Sequence, residues 1–252
     1  MVDPLHFDRH AEVYERARPP YPDALWARLA GLGLLSRGDR VLDLGAGTGQ
    51  AAGRLLGFGM QVTAVEPGPA LAARLRSALS AVEVIESTIE GASLTDGGYE
   101  LAVAATSVHW FDLPVVLPKL HRALVSGGHF AVWRTVFGDP SAEVTPFREQ
   151  VARIVAPRTA PPRPGPSESA TASWADELVS GGWFRVVDRV EFPWRIELDA
   201  DQIRDLFTTF SDWSLSEVEQ AAAAVRDLGG TVTEHYLTPL IVLERVPGSD
   251  LA

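Results

Sequence analysis

Val41-Leu42-Asp43-Leu44-Gly45-Ala46-Gly47-Thr48-Gly49 is the stretch on which the fold turns. Four residues of buried-strand character run into a turn with glycine at every second position, and Gln50 to about Leu56 then reads as a helix. In open α/β sheets this junction, where a strand ends and a helix begins, is where nucleotides bind. Gly45 and Gly47 let the backbone turn tightly and approach a ligand with no Cβ in the way, and Gly49 eases packing of the helix. The dinucleotide fingerprint G-x-G-x-x-G needs its third glycine at position 50, which is Gln here. That spacing disfavours an NAD-dependent oxidoreductase.

Outward from this turn, strand and helix patterns alternate. Ala24 to Leu35 is apolar at helical spacing. Strands are predicted at 61–65, 82–85, 101–105 and 129–133, with helices at 70–80 and 115–124. Such alternation predicts an α/β fold: a Rossmann-like, doubly wound, mostly parallel seven-stranded sheet with helices on both faces. After Trp133 the rhythm breaks, and five prolines between Pro157 and Pro166 make that stretch irregular. A helix at 174–179 and a strand at 184–192 follow. Two helices, 201–210 and 216–228, form an insertion before a last strand at 233–243. The expected division is an N-terminal cap segment over 1–35, a ligand-binding core over 36–137, and over 138–252 the C-terminal half of the sheet with a substrate-binding insertion at about 195–230.

Composition narrows the function. With 252 residues, 46% of them hydrophobic, the chain can bury an ordinary core, which excludes a disordered or fibrous protein. The net charge of −11 is the wrong sign for neutralising phosphates, so neither nucleic acid nor an anionic membrane is an expected partner. No cysteine is present, which removes disulfides, thiolate nucleophiles and Cys-based zinc sites. Lys119 is the sole lysine. The start, Met1 to His6, lacks signal-peptide character, and the longest strongly apolar stretch, Leu101 to Phe111, is far short of the ~20 residues of a membrane helix. A cytoplasmic protein, monomer or homodimer, is expected.

Glu66 ends the second strand, 21 residues after Gly45, where a carboxylate can accept from both hydroxyls of a ribose. Asp43 sets a second carboxylate beside the loop, which suits a ligand with cationic groups better than a pyrophosphate. With both in place, the stretch resembles motif I of the class I S-adenosylmethionine-dependent methyltransferases, and Glu66 their acidic motif II residue. The resemblance implies S-adenosyl-L-methionine as cofactor, held by Asp43, Gly45, Ala46, Gly47, Glu66 and the adjoining Pro67.

Further segments carry the likeness. Phe7-Asp8 with Tyr14-Glu15-Arg16-Ala17-Arg18-Pro19-Pro20-Tyr21-Pro22 is similar to the Y-x-x-x-R-P-x-Y-P opening of small-molecule methyltransferases related to trans-aconitate and ubiquinone/menaquinone methyltransferases. In that group the segment caps the cofactor. Arg18 can clamp the methionine carboxylate in a bidentate pair with Tyr14 at the same end, or the two pack an N-terminal helix onto the sheet; Tyr21 is a candidate substrate contact. Ser87-Thr88-Ile89-Glu90 resembles the G-[DT]-A-E stretch that frames adenine, with Thr88 and the Ile89 backbone as contacts; Ile89 departs from the small residue usual there. Ala104-Ala105-Thr106-Ser107-Val108-His109-Trp110-Phe111-Asp112 resembles the H-W-F-D signature, which implies backbone contacts from Ala105 and Thr106.

His109 is a candidate general base, or packs with Trp110 to shape the site. His235 and Tyr236 alternate along the last strand, so at most one of them reaches substrate. His235 is therefore the second candidate base. Trp110, Trp194 and Trp213 are candidate walls of the acceptor pocket. Absences discriminate too: there is no Asn-Pro-Pro-Tyr, no cysteine for a covalent pyrimidine mechanism, and no Asp/Asn cluster after the fourth strand to hold Mg²⁺, so no metal is expected. The resulting expectation is in-line methyl transfer to a small-molecule acceptor, most simply O-methylation. The alternative is a methyltransferase-fold protein that binds the cofactor in a structural or non-methylating role.

Overall fold

β1 (Arg40–Leu44) and β2 (Gln61–Val65) are buried at every residue but the first, the pattern of parallel strands covered on both faces. The computed structural model describes residues 13, 16–159, 171–210 and 212–248. In it β1 and β2 pair in register from Arg40↔Gln61 to Leu44↔Val65. β3 (Glu83–Ile85) pairs parallel with β2, while β4 (Tyr99–Ala105) and β5 (Leu124–Trp133) continue the parallel sheet beyond β1. Three further strands are β6 (Val136–Phe137), β7 (Phe184–Asp199) and β8 (Thr231–Arg245). The order is β3-β2-β1-β4-β5-β8-β6, with β7 also pairing β8. The sheet is thus mostly parallel, with seven strands of three residues or more and the two-residue β6.

Among the described residues the chain forms two compact units. The sheet unit takes residues from 21–135, 170–192 and 238–252, and the aromatic unit those from 1–20, 136–169 and 193–237. In the sheet unit, the period-2 alternation of strand side chains splits the core in two. Leu42, Leu44, Ala102, Ala104, Phe130 and Val132 face one way, covered by α4 (Leu113–Ala123) and α6 (Thr171–Val179). Val41, Val62, Ala64, Leu101, Val103 and Trp133 face the other, covered by α1 (Asp23–Gly31), α2 (Gln50–Gly57) and α3 (Pro69–Ala78). Helices on both faces follow directly from strands apolar on both faces.

The aromatic unit gathers α5 (Pro146–Val155), α7 (Ala200–Thr208) and α8 (Leu215–Asp227) around Phe147, Phe207, Leu206, Val225 and Tyr236. Its helices start on strong local signals. Asp199 with Gln202, and Ser214 with Glu217, form capping boxes, and Thr145 accepts from the Arg148 N–H ahead of Pro146.

The predicted elements recur with shifted ends, and three differences stand out. The first predicted helix stops at Gly31 rather than Leu35. β7 runs on through Pro193 to Asp199 instead of ending at Phe192; it pairs only with β8, and an edge strand tolerates a residue with no N–H to donate. α5 and β6 were not predicted at all. Phe147, Val151 and Ile154 recur at helical spacing, but in the stretch after Trp133 where the alternation of strand and helix breaks. The proline-rich stretch lies mostly outside the described residues.

Candidate functional site

The carboxyl ends of β1, β2 and β4 meet within the sheet unit. The Gly45 and Ala46 amides donate to the Val65 carbonyl at 2.8 and 3.2 Å, tying the glycine turn to β2. Gly45 has φ +66°, and a Cβ there would stand 2.6 Å from Ser107 Cβ. Ser107 in turn donates its hydroxyl to the Leu44 carbonyl. Gly49, at φ +94°, leaves no room for a Cβ against Leu75 of α3, the packing role expected of it. Glycine is therefore required at 45 and 49, where positive φ and close neighbours leave no room for a Cβ.

Glu66 is 5% exposed, and backbone amides hold both its oxygens. Gly47 N–H donates to Oε2 and Gly68 N–H to Oε1, each at 2.8 Å. The two amides fix the Glu66 carboxylate at the end of β2, and a carboxylate oxygen can accept more than one hydrogen bond. Pro67 beside it is exposed. Asp43 is 0% exposed, and neither of its oxygens has a hydrogen-bond partner in the protein. Burial pushes its pKa up to about 7; the Ala52 backbone amide offsets part of this, and the neighbouring Glu66 charge adds to it.

After β3, Thr88 is exposed and accepts from the Gly91 N–H at 3.2 Å, while Ile89 buries its side chain in the core. The Ile89 side chain thus belongs to the sheet unit's core. Lys119 of α4 donates to the Ile89 carbonyl at 2.9 Å and to that of Glu90 at 2.7 Å. Sequence reasoning noted Lys119 only as the sole lysine; its role depends on a contact 30 residues away.

At the end of β4, Ala105 is half-buried and Thr106 has φ +64°. It is the non-glycine residue with positive φ among the described residues, a conformation costing about 1–3 kcal/mol. Its N–H donates to the Trp133 carbonyl at 2.7 Å, and its hydroxyl lies 3.1 Å from that of Tyr21. The Tyr21 ring stands edge-on to Trp133 at 5.6 Å. His109 and Trp110 follow in a short 3₁₀ turn, both exposed, with ring centroids 4.9 Å apart.

The remaining expected site residues belong to the aromatic unit. The Arg18 guanidinium lies 5.0 and 5.1 Å from the Phe137 and Phe210 ring centroids, and it donates to the Thr209 carbonyl at 3.3 Å. Trp194 meets Tyr236 edge-on at 5.1 Å. Trp213 packs on Phe207 at 4.4 Å, under Arg158. His235 is half-buried between the fully buried Glu234 and Tyr236, as strand alternation requires. Tyr14 lies outside the described residues.

This strand order, with parallel strands around a glycine turn and an acidic residue closing β2, is the Rossmann-like arrangement of class I methyltransferases. Residues 42–132 match the methyltransferase domain family. Among relatives, an uncharacterized methyltransferase of Mycobacterium tuberculosis is 37% identical over 132 residues, 52% of this chain and 53% of the relative. A malonyl-[acyl-carrier protein] O-methyltransferase of Serratia marcescens is 31% identical over 123 residues, 48% of each. A solved structure from Anaeromyxobacter dehalogenans, described as a type II methyltransferase, superposes with a TM-score of 0.64 at 24% identity, covering 90% of this chain and 97% of that one. The chain thus has the methyltransferase fold, and its residues 42–132 are similar to the methyltransferase domain family. It spans about half the length of the curated relatives it matches.

Proposed function

We propose that this chain moves the methyl group of S-adenosylmethionine onto an oxygen of a small-molecule acceptor. The observation that carries the reading is the pair of carboxylates at the ends of β1 and β2. One is wholly buried with no side-chain partner, and the other is held by two backbone amides. A ligand with an ammonium group and a vicinal diol fits that pair, and the bare backbone of Gly45, Ala46 and Gly47 admits it closely. Glu66 receives the ribose hydroxyls, with Pro67 beside it, and Asp43 supplies negative charge toward the cationic end. Thr88 and the Ile89 backbone border the adenine, while Ala105 and Thr106 offer backbone groups to the methionine half. Arg18 and Tyr14 are assigned to the methionine carboxylate.

The bound cofactor supplies an electrophilic methyl group on a positively charged sulfur. The chain's work is to hold the acceptor oxygen in line with it and to exclude water. Tyr21, Trp110, Trp194 and Trp213 are assigned to shaping the acceptor's surroundings, with the 195–230 insertion as its specificity element. Oxygen is favoured because the Serratia marcescens relative is an O-methyltransferase. A carboxylate acceptor needs no base, whereas an alcohol or phenol would draw on His109 or His235. Isothermal titration with S-adenosylmethionine tests the reading: micromolar binding is expected, and Glu66→Ala should weaken it by about 1–3 kcal/mol through lost charged hydrogen bonds. No micromolar binding to the intact protein would overturn it.

A further inference from the structure

At the end of β4, threonine stands where glycine would be unstrained. The φ of Thr106, +64°, lies in the left-handed region, which a β-branched residue strongly disfavours and glycine adopts freely. Bonds before it, after it and on its side chain hold it there. Its own N–H donates to the Trp133 carbonyl at 2.7 Å. The hydroxyl of the next residue, Ser107, donates to the Leu44 carbonyl at 2.5 Å. The Thr106 hydroxyl lies 3.1 Å from that of Tyr21, 85 residues earlier in the chain. Glycine at this position would keep the first two of these bonds, and only the third needs the threonine side chain. The contact with Tyr21 is therefore what threonine supplies here in return for its backbone strain.

Tyr21 is a firm anchor for that contact. Its ring stands edge-on to the fully buried Trp133 at 5.6 Å, and Trp26 of α1 packs edge-on against Trp133 at 5.6 Å. Beyond Thr106, Ser107 abuts the glycine turn, since a Cβ on Gly45 would stand 2.6 Å from Ser107 Cβ. A change of φ at Thr106 would swing Ser107, and in so closely packed a place the turn would have to move with it. Tyr21, Thr106, Ser107 and Gly45 all belong to the sheet unit.

We propose that Tyr21 is a positioning residue for the cofactor, its hydroxyl holding Thr106 in the left-handed conformation that sets the end of β4 against the methionine half of the ligand. This rests on the proposed methyl-transfer function, in which Ala105 and Thr106 offer backbone groups to that half. The Tyr21 hydroxyl acts through Thr106 and not on the ligand directly.

The test is a cycle of substitutions in the full chain, read by calorimetry with S-adenosylhomocysteine and with 5′-methylthioadenosine, which lacks the amino-acid end. Tyr21→Phe and Thr106→Val remove the same bond. Each should weaken S-adenosylhomocysteine binding by about fivefold and leave 5′-methylthioadenosine within about twofold of wild type. Combined, they should weaken it no more than either does alone. Thr106→Gly reaches the same φ without strain and should bind S-adenosylhomocysteine within about twofold of wild type. Adding Tyr21→Phe to Thr106→Gly should then change nothing further, a rescue that a hydroxyl with a merely structural role would not show. Unchanged S-adenosylhomocysteine binding in Tyr21→Phe overturns the proposal. So does equal weakening of both ligands, or a loss that persists on the Thr106→Gly background. In each of these cases, wild-type binding of S-adenosylhomocysteine leaves the methyl-transfer reading standing. A wild type that binds neither ligand overturns that reading, and the proposal with it.

Discussion

Buried carboxylates are handled in opposite ways in the two units. In the aromatic unit, Glu234 is 0% exposed and faces the Arg148 guanidinium, which donates through Nε to Oε1 at 2.9 Å and through a terminal nitrogen to Oε2. Burial still raises the Glu234 pKa, with Arg148 pulling the other way. In the sheet unit, Glu66 is answered by two backbone amides and Asp43 by no side chain at all. A buried charge answered from within the protein is part of the scaffold. One left unanswered is a standing cost, and proteins keep such costs where a ligand removes them.

The contrast is broken most severely from the Arg148 side. Arg148→Ala converts Glu234 into a second Asp43, with no ligand to relieve it, and should lower unfolding free energy by about 3–5 kcal/mol at neutral pH. Urea denaturation measures this. The double variant Arg148→Met with Glu234→Gln should recover most of the loss, because it removes the charge along with its partner. If the single variant costs under about 1 kcal/mol, the pair is not the scaffold element described.

Asp43 should behave in the reverse sense. Its folded pKa, about 7, lies above the 3.8 of an ordinary aspartate. Between those values the native state holds a proton that the unfolded chain has released, so the Asp43 contribution to stability falls as pH rises from about 4 to about 7 and is flat above. Asp43→Asn abolishes that slope. Without ligand, the variant should match wild type near pH 4.5 and exceed it by on the order of 2–4 kcal/mol at pH 8, while binding S-adenosylmethionine more weakly. Parallel melting curves of the two proteins across this range would show a gap widening with pH. A constant gap would mean that Asp43 is not the buried, unanswered charge of the sheet unit.

How much of this the sequence disclosed differs between the same two regions. Strand, turn and helix at 41–57, and the carboxylates at 43 and 66, are local: each is read from a few neighbouring residues, and the structure places them within a residue or two of expectation. The aromatic unit is assembled from distant pieces. Arg148 meets Glu234 across 86 residues and Arg18 meets Thr209 across 191, and no periodicity reports such a pairing. Tyr236 was separated from His235 by strand alternation alone; that its hydroxyl would be left unpartnered depends on Phe137 and Trp194, which arrive from other strands. The strained Thr106 was hidden likewise, since threonine does not favour positive φ and its N–H bond runs to the distant Trp133.

Lys119 tests whether the sheet unit's long-range supports matter as its local ones do. Its ammonium answers carbonyls rather than a carboxylate, holding Ile89 and Glu90 from α4. Glu90 is held a second time, by the Asp112 N–H at 3.0 Å, and Ile89 by the core, so the turn does not depend on the lysine alone. Lys119→Met keeps the length and apolar stem of the side chain and removes two hydrogen bonds from partly buried carbonyls. The expected loss is about 1 kcal/mol of stability, a fall in Tm of about 2–4 °C for a chain of this size. If Thr88 and Ile89 border the adenine as proposed, the loosened turn should also weaken S-adenosylhomocysteine binding by about two- to fivefold, whereas binding of methionine alone, which lacks the adenine, should not change. Equal weakening of both ligands would place the support of Lys119 elsewhere than under the adenine turn.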